Sequence, residues 1–284
     1  MRWLVEGHGG RGSRHSEERG LKVVAIVASY NEERFIGGCI DHLYQQGVEV
    51  YLCDNESTDS TVEIASRRLG AGLLTIESIP RDGVYRWQQI LRRKEEIAAQ
   101  IDADWILHLD VDEIPLPPRP GTKLTEAIAE ADAAGYNTIE FSEFTFVPTS
   151  EDPDHDHPEF RRSMRWYYHF APRPWHLLRG WKKQPAKVDI ATTGGHIVDF
   201  PDRKIAPERF RLQHYLFLSR AQAMRKYACR TYDAKEVARG WHGWRPFLDP
   251  SSLRLPSRSE LNFAAHDLDL DASSPRARHC IEWE

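Results

Sequence analysis

Val23-Val24-Ala25-Ile26-Val27-Ala28, followed at once by Ser29-Tyr30-Asn31-Glu32, is the stretch on which the fold turns. A strand with one wet face alternates apolar and polar residues, so an unbroken apolar run that stops in polar residues suits a strand covered on both faces. Working outward, Glu32 to Gln46 places Phe35, Ile36, Cys39, Ile40 and Leu43 at spacings of three and four, and Gly47 supplies a stop, which predicts a helix. Val48 to Cys53 reads as a second strand. The polar run Asp54 to Ser60 leads into a helix whose Ser60 and Glu63 have capping-box spacing. Leu73 to Ile76 is a third strand, Tyr85 to Ile101 a long helix, and Trp105 to Leu109 a fourth strand running into Asp110-Val111-Asp112-Glu113. Strands alternating with helices predict an α/β fold of three layers, with a mainly parallel central sheet, right-handed crossovers and helices on both faces.

Further on, Thr122 to Ala134 is expected to be helical, Thr138 to Phe146 extended, and Ser219 to Glu236 a late helix opened by a Ser219/Gln222 capping box. Between about 149 and 207 the chain is rich in Pro, His, Trp and Arg with weak periodicity, which predicts long loops and short strands shaping a cleft. The organisation expected is a mobile leader over 1–20, one domain over 21–240 and an extension over 241–284 whose last twenty residues dock loosely. Within the domain, 21–115 would form a nucleotide-binding part, as parallel sheets of this kind do, and 116–240 would complete the cleft. A net charge of -5 disfavours a nucleic-acid partner. Four widely spaced cysteines, no CxxC pair, no apolar run long enough to span a membrane and no signal peptide make the cytoplasm the expected location. Oligomeric state is left open.

In open parallel sheets ligands bind beyond the carboxyl ends of the strands. Ser29 to Glu32, Asp54-Asn55 and Asp110-Val111-Asp112 each follow a predicted strand there. Two carboxylates one residue apart at a strand end project the same way, so Asp110 and Asp112 can hold a divalent cation by hard oxygen ligands and leave positions open for phosphate. Glu113 beside them reads as a solvated neighbour. The run Asp152-Pro153-Asp154-His155-Asp156-His157-Pro158 alternates carboxylates and imidazoles, and either a metal site or a solvated loop would account for it.

The segments Ser29-Tyr30-Asn31-Glu32-Glu33, Asp54-Asn55-Glu56-Ser57-Thr58-Asp59-Ser60-Thr61 and Leu109-Asp110-Val111-Asp112-Glu113 together resemble glycosyltransferase family 2, over about the first 150 residues. The resemblance implies a GT-A (Rossmann-like) fold, a nucleotide-diphosphate sugar donor, with UDP-sugar favoured, and Mn2+ or Mg2+. It implies that Ser29, Tyr30 and Glu32 receive base and ribose, that Asp54 reads the base edge, and that Asp110 lies near ribose and metal. Asp112 would be the direct metal ligand, His214 would complete the metal shell, and Arg86 would face the nucleotide.

Breaking the glycosidic bond builds charge on the leaving phosphate, and Lys187, His196 and Lys226 are candidates to neutralise it. An inverting transfer needs a carboxylate base for the acceptor hydroxyl, for which Glu143 is the candidate and Asp152 the runner-up. The dense aromatics Trp166, Tyr167, Tyr168, Trp175 and Trp181 suit either a core or stacking on a saccharide acceptor, with one or two of them expected at the cleft. The activity the resemblance implies is hexosyl transfer to a saccharide or glycan precursor, in polysaccharide biosynthesis. Three competitors stay open. A nucleotidyltransferase calls for a Gly-rich basic loop that Ser29 to Arg34 lacks. The others are a hydrolase built on the His-rich loop and a non-catalytic carbohydrate-binding protein.

Overall fold

The apolar run becomes β1 (Val23–Ser29), and its alternate side chains divide between two cores. Val23, Ala25 and Val27 join one cluster with α1 (Ile36–Gln45), α2 (Thr61–Ser66) and α4 (Leu124–Ala133). Val24 and Ile26 join the opposite cluster with Ile90, Leu91 and Ile97 of α3 (Trp87–Gln100). This two-sided burial is why the run does not alternate, and each fully buried Val or Ile contributes about 1.5–3 kcal/mol. The architecture is a computed structural model that describes residues 20–249 and 253–282. Apart from Gly20, the leader expected over 1–20 lies outside the described residues.

The remaining strands are β2 (Val48–Asp54), β3 (Leu73–Ser78), β4 (Trp105–Asp110), β5 (Glu113–Leu116), β6 (Thr138–Phe146), β7 (Trp166–Phe170), β8 (Leu177–Lys182), β9 (Phe210–Tyr215) and β10 (Asn262–Phe263). The main path of the sheet runs β10-β7-β6-β8-β4-β1-β2-β3, with β9 pairing β5 and β6 off that path. The first four strands pair parallel, as the alternation of strand and helix requires. Beyond β4 the sheet turns antiparallel at β8, β6 and β7, while β9 lies parallel to β6.

Register fixes the site. Ser29 is level with Asp54, and Ala28 with Asp110, so the motif-bearing ends of β1, β2 and β4 share one rim. Because β8 runs against β4, its beginning near His176 arrives at that same rim. The polar run after β2 locks the loop after β1. Asn31 takes the left-handed conformation (φ 56), which Asn tolerates better than most residues. Its amide oxygen accepts the Thr58 N–H at 2.7 Å, and Ser57 Oγ accepts the Asn31 N–H at 2.9 Å. Glu32 N–H donates to Thr61 Oγ1.

Two expected elements change. At α2 the Ser60 side chain makes no cap; Asp59 Oδ1 accepts the Thr61 N–H instead. The single late helix is divided into α6 (Arg220–Ala223), a π-helical turn Met224–Ala228 and α7 (Ala234–Ala238). Ser219 does cap its start. The interruption comes where Thr231 and Asp233 exchange backbone hydrogen bonds with Tyr85, which draws the chain out of the helix. α5 (Phe160–Ser163) completes the helices. Among the described residues no helix is long and apolar enough to cross a membrane.

Candidate active site

A cleft of about 600 Å³ opens at the rim where β1, β4 and β8 meet. This lies within the range of small-ligand sites. Asp112, just past β4, stands at its centre. Lys226, carried by the π-helical turn, brings Nζ to 2.6 Å from Asp112 Oδ2 and 3.3 Å from Glu32 Oε1. His214 of β9 sets Nε2 3.5 Å from the same Asp112 oxygen. All four side chains are largely withdrawn from solvent. Burial works against their charges, yet Lys226 and His214 hold the Asp112 carboxyl below the ordinary carboxylate range, and Asp112 with Glu32 holds Lys226 protonated.

Glu143 of β6 lies behind His214. Its Oε1 accepts from His214 Nδ1 at 2.6 Å and from Thr145 Oγ1 at 3.0 Å, and its Oε2 faces His176 Nε2 at 3.0 Å. Despite burial, the two imidazoles hold the Glu143 carboxyl well below its usual range. Opposed by burial but drawn by Asp112 and Glu143, the His214 imidazole is pushed up to about 10. On the wall, Glu113 is buried and accepts both the Arg179 guanidinium (2.5 and 2.7 Å) and the Asp110 N–H (2.8 Å), fixing the strand end from which Asp110 faces the cleft. At the other end, the Arg81 guanidinium lies 3.7 Å from the Tyr30 ring centroid and donates to Asn55 Oδ1.

The family model described as Glycosyl transferase family 2 matches residues 24–184, more than half of the chain. The chain belongs to glycosyl transferase family 2. A relative in Rickettsia typhi, described as an uncharacterized glycosyltransferase, is 33% identical over 92 residues, which is 32% of this chain and 28% of that protein. Among solved structures, S. aureus TarS residues 1–349 in complex with UDP is similar at 14% identity and a TM-score of 0.43, covering 69% of this chain and 61% of that one. Glucosyl-3-phosphoglycerate synthase from Mycobacterium tuberculosis, with Mn2+, UDP and glucosyl-3-phosphoglycerate, is similar at 20% identity and a TM-score of 0.32, covering 44% of each chain. The chain thus spans under a third of the curated relative it matches.

Of the residues expected from the sequence, the cleft gathers Ser29, Tyr30, Glu32, Asp110, Asp112 and His214, which the resemblance implied, and Glu143, His196 and Lys226, which the chemistry of the transfer suggested. Other expectations do not reach it. Asp54 is buried beneath the rim, its oxygens taken by Ser29 Oγ, Ser57 Oγ and Ser57 N–H, and Asn55 lines the cleft in its place. Arg86 precedes α3 rather than lying within it and turns to the Arg81 carbonyl at 3.0 Å. Lys187 follows β8, whose end pairs with the start of β4, so it sits at the opposite edge of the sheet. Asp152 closes a turn on Thr149, outside the cleft.

The acidic and histidine-rich loop is held by ordinary contacts: His155 and His157 both meet Ser163 Oγ, and Asp156 bridges Arg34 and Arg225. Tyr167, Tyr168 and Trp181 are core residues and Trp175 is exposed, and none of the five singled-out aromatics lines the cleft. Its aromatic lining is Tyr30, Tyr85, Trp87, Phe170, Tyr227 and Trp241. Sequence reasoning missed Arg81, Arg179, Arg230 and the buried role of Glu113. For Glu113 the available signal was its place in the β5 run Glu113–Leu116, which pairs with β9.

No group of three or more metal-ligating side chains forms a ready cage among the described residues. Asp112 and His214 nonetheless meet, with Glu143 backing the far nitrogen of His214 in the manner of an outer-shell carboxylate. That set fits a cation taking its other ligands from phosphate and water.

Proposed function

We propose that the protein transfers a hexosyl group, with inversion, from a nucleotide-diphosphate sugar, a UDP-sugar favoured, to a hydroxyl of a saccharide or glycan precursor. The observation that carries this reading is the convergence of Tyr30, Asp110, Asp112, His214 and Lys226 on one cleft at the carboxyl rim of the parallel strands. Tyr30, backed by Arg81, offers an aromatic face to the nucleobase, and Ser29 and Glu32 border the ribose side. Asp112 and His214 would hold Mn2+ or Mg2+, with Asp110 beside them. Bound there, the cation would offset charge on the diphosphate as the glycosidic bond breaks. Lys226, beside Asp112, and Arg230, beside Glu32, supply positive charge to the same cleft.

Both oxygens of Glu143 are engaged, so it acts by fixing His214 and His176 rather than as a free base. Glu143→Gln is then expected to slow UDP release from a UDP-sugar while leaving UDP binding in place; loss of both together would remove that positioning role.

The primary test is thermal denaturation with UDP, GDP, CDP and dTDP, each with and without Mn2+. Ligand at about 100 times Kd adds about 2.7 kcal/mol to the folded state. UDP with Mn2+ is expected to raise Tm, and Asp112→Asn to abolish the part that depends on Mn2+. Failure of all four nucleotides in the presence of metal would end the transferase reading.

A further inference from the structure

The Asp112 and Glu32 carboxylates already share a cation as an acidic pair, and it belongs to the chain. Lys226 Nζ lies 2.6 Å from Asp112 Oδ2 and 3.3 Å from Glu32 Oε1, with the Phe35 ring centroid 5.1 Å away, all out of solvent. An ammonium so placed occupies the very Asp112 oxygen that faces His214, and a dication brought to that oxygen would meet the ammonium at close range and be repelled by it. We propose that Lys226 is a placeholder that blocks the acidic pair until nucleotide arrives, so that divalent cation and nucleoside diphosphate bind as a coupled pair.

Three further features fit this role and rest on separate observations. Lys226 sits in a π-helical turn, Met224–Ala228, directly after α6. Such turns are uncommon, interrupt the regular hydrogen-bond ladder and cluster at functional sites, which leaves Lys226 on a segment able to re-register. Glu32 has a successor for the contact it would lose: the Arg230 guanidinium is 3.7 Å from Glu32 Oε1, and its buried Nε has no hydrogen-bond partner. Asp112 keeps His214. Departure of the ammonium toward the anionic oxygens of a diphosphate therefore strands neither carboxylate.

This inference rests on the transferase reading and is tested apart from it. Mn2+ binding, followed by water-proton relaxation, is measured on the full chain with and without UDP, and UDP binding is measured in EDTA. For the unaltered protein UDP is expected to tighten Mn2+ by about tenfold or more, and Mn2+ to tighten UDP by the same factor, since coupling is reciprocal. Lys226→Met removes the ammonium and is expected to bring nucleotide-free Mn2+ affinity up by a comparable factor while shrinking the effect of UDP. Equal Mn2+ affinity with and without UDP overturns the placeholder, as does unchanged nucleotide-free affinity in Lys226→Met. Should that variant not fold, Lys226→Gln, which keeps a polar tip without the charge, takes its place with the same two outcomes, because a cation ligated by the diphosphate couples to UDP whatever Lys226 does. Absence of UDP binding in EDTA and with metal alike sinks the transferase reading itself.

Discussion

His42 on α1 donates its Nε2–H to the Pro115 carbonyl at 2.7 Å, tying the helix to β5. Burial pushes its imidazole down to about 4, against an ordinary value of about 6.5 in the unfolded chain. Between those two pH values the unfolded chain binds a proton that the folded one refuses, so stability falls as pH drops through the window and is fully present above it. The loss amounts to up to about 3 kcal/mol. His42→Gln keeps a donor without the titration, so urea denaturation at pH 7 and pH 4.5 should show the variant losing less stability than the parent on acidification. Equal losses would remove His42 from the acid response. Residues of this kind divide cleanly by what sequence can say about them. Asp110, Asp112, Ser29 and Tyr30 were legible because a strand end dictates where they point. Arg81, Arg179 and Arg230 were not, because an arginine is buried only when a distant partner is folded against it, as Glu113 is for Arg179 and Glu32 for Arg230.

Among the secondary elements, β1 and β4 announce themselves by apolar runs, since each is covered on both faces, whereas β2 alternates in part and β3, at the end of the sheet, is largely half-buried. β7, β8 and β9 do not announce themselves: much of their burial is supplied by aromatic, charged or polar residues such as Tyr167, Arg179 and Gln213, which break up the apolar pattern. Gly180 is the informative residue of β8. A Cβ there would overlap Ile139 Cγ1 on β6 and come within 2.9 Å of Leu107 Cδ2 on β4, so glycine is what lets the antiparallel strand lie between its two neighbours. Gly180→Ala is expected to cost about 1–3 kcal/mol by overpacking. Chemical denaturation is the measurement, and the double variant Gly180→Ala, Ile139→Ala should recover part of the loss. A Gly180→Ala protein as stable as the parent would show that β8 has slack at this point.

For the molecule as a whole, the boundary expected near residue 240 divides what the fold joins. Instead of a loosely docked tail, β10 pairs with β7, the Arg276 N–H donates to the His169 carbonyl at 2.8 Å, and the His279 ring stacks on Phe170 at 3.9 Å. Leu253, Leu255 and Cys280 are buried with Tyr168, Leu216 and Phe217 in a third core cluster. The extension also furnishes cleft lining, through Trp241, His242, Arg245 and His279. None of this was legible because the stretch is polar on average and its few apolar anchors show no period; they insert singly into a surface built by earlier strands. Each such Leu contributes about 1.5–3 kcal/mol on burial, and a domain has only about 5–15 kcal/mol in all. Ending the chain after Gly240 is therefore expected to remove a large share of the stability together with one wall of the site. The truncated protein should melt well below the full chain or fail to stay soluble, and UDP should give it no thermal shift. A truncated protein with the parent Tm and an intact UDP response would mean that 241–284 is an appendage after all, and that the cleft closes without it.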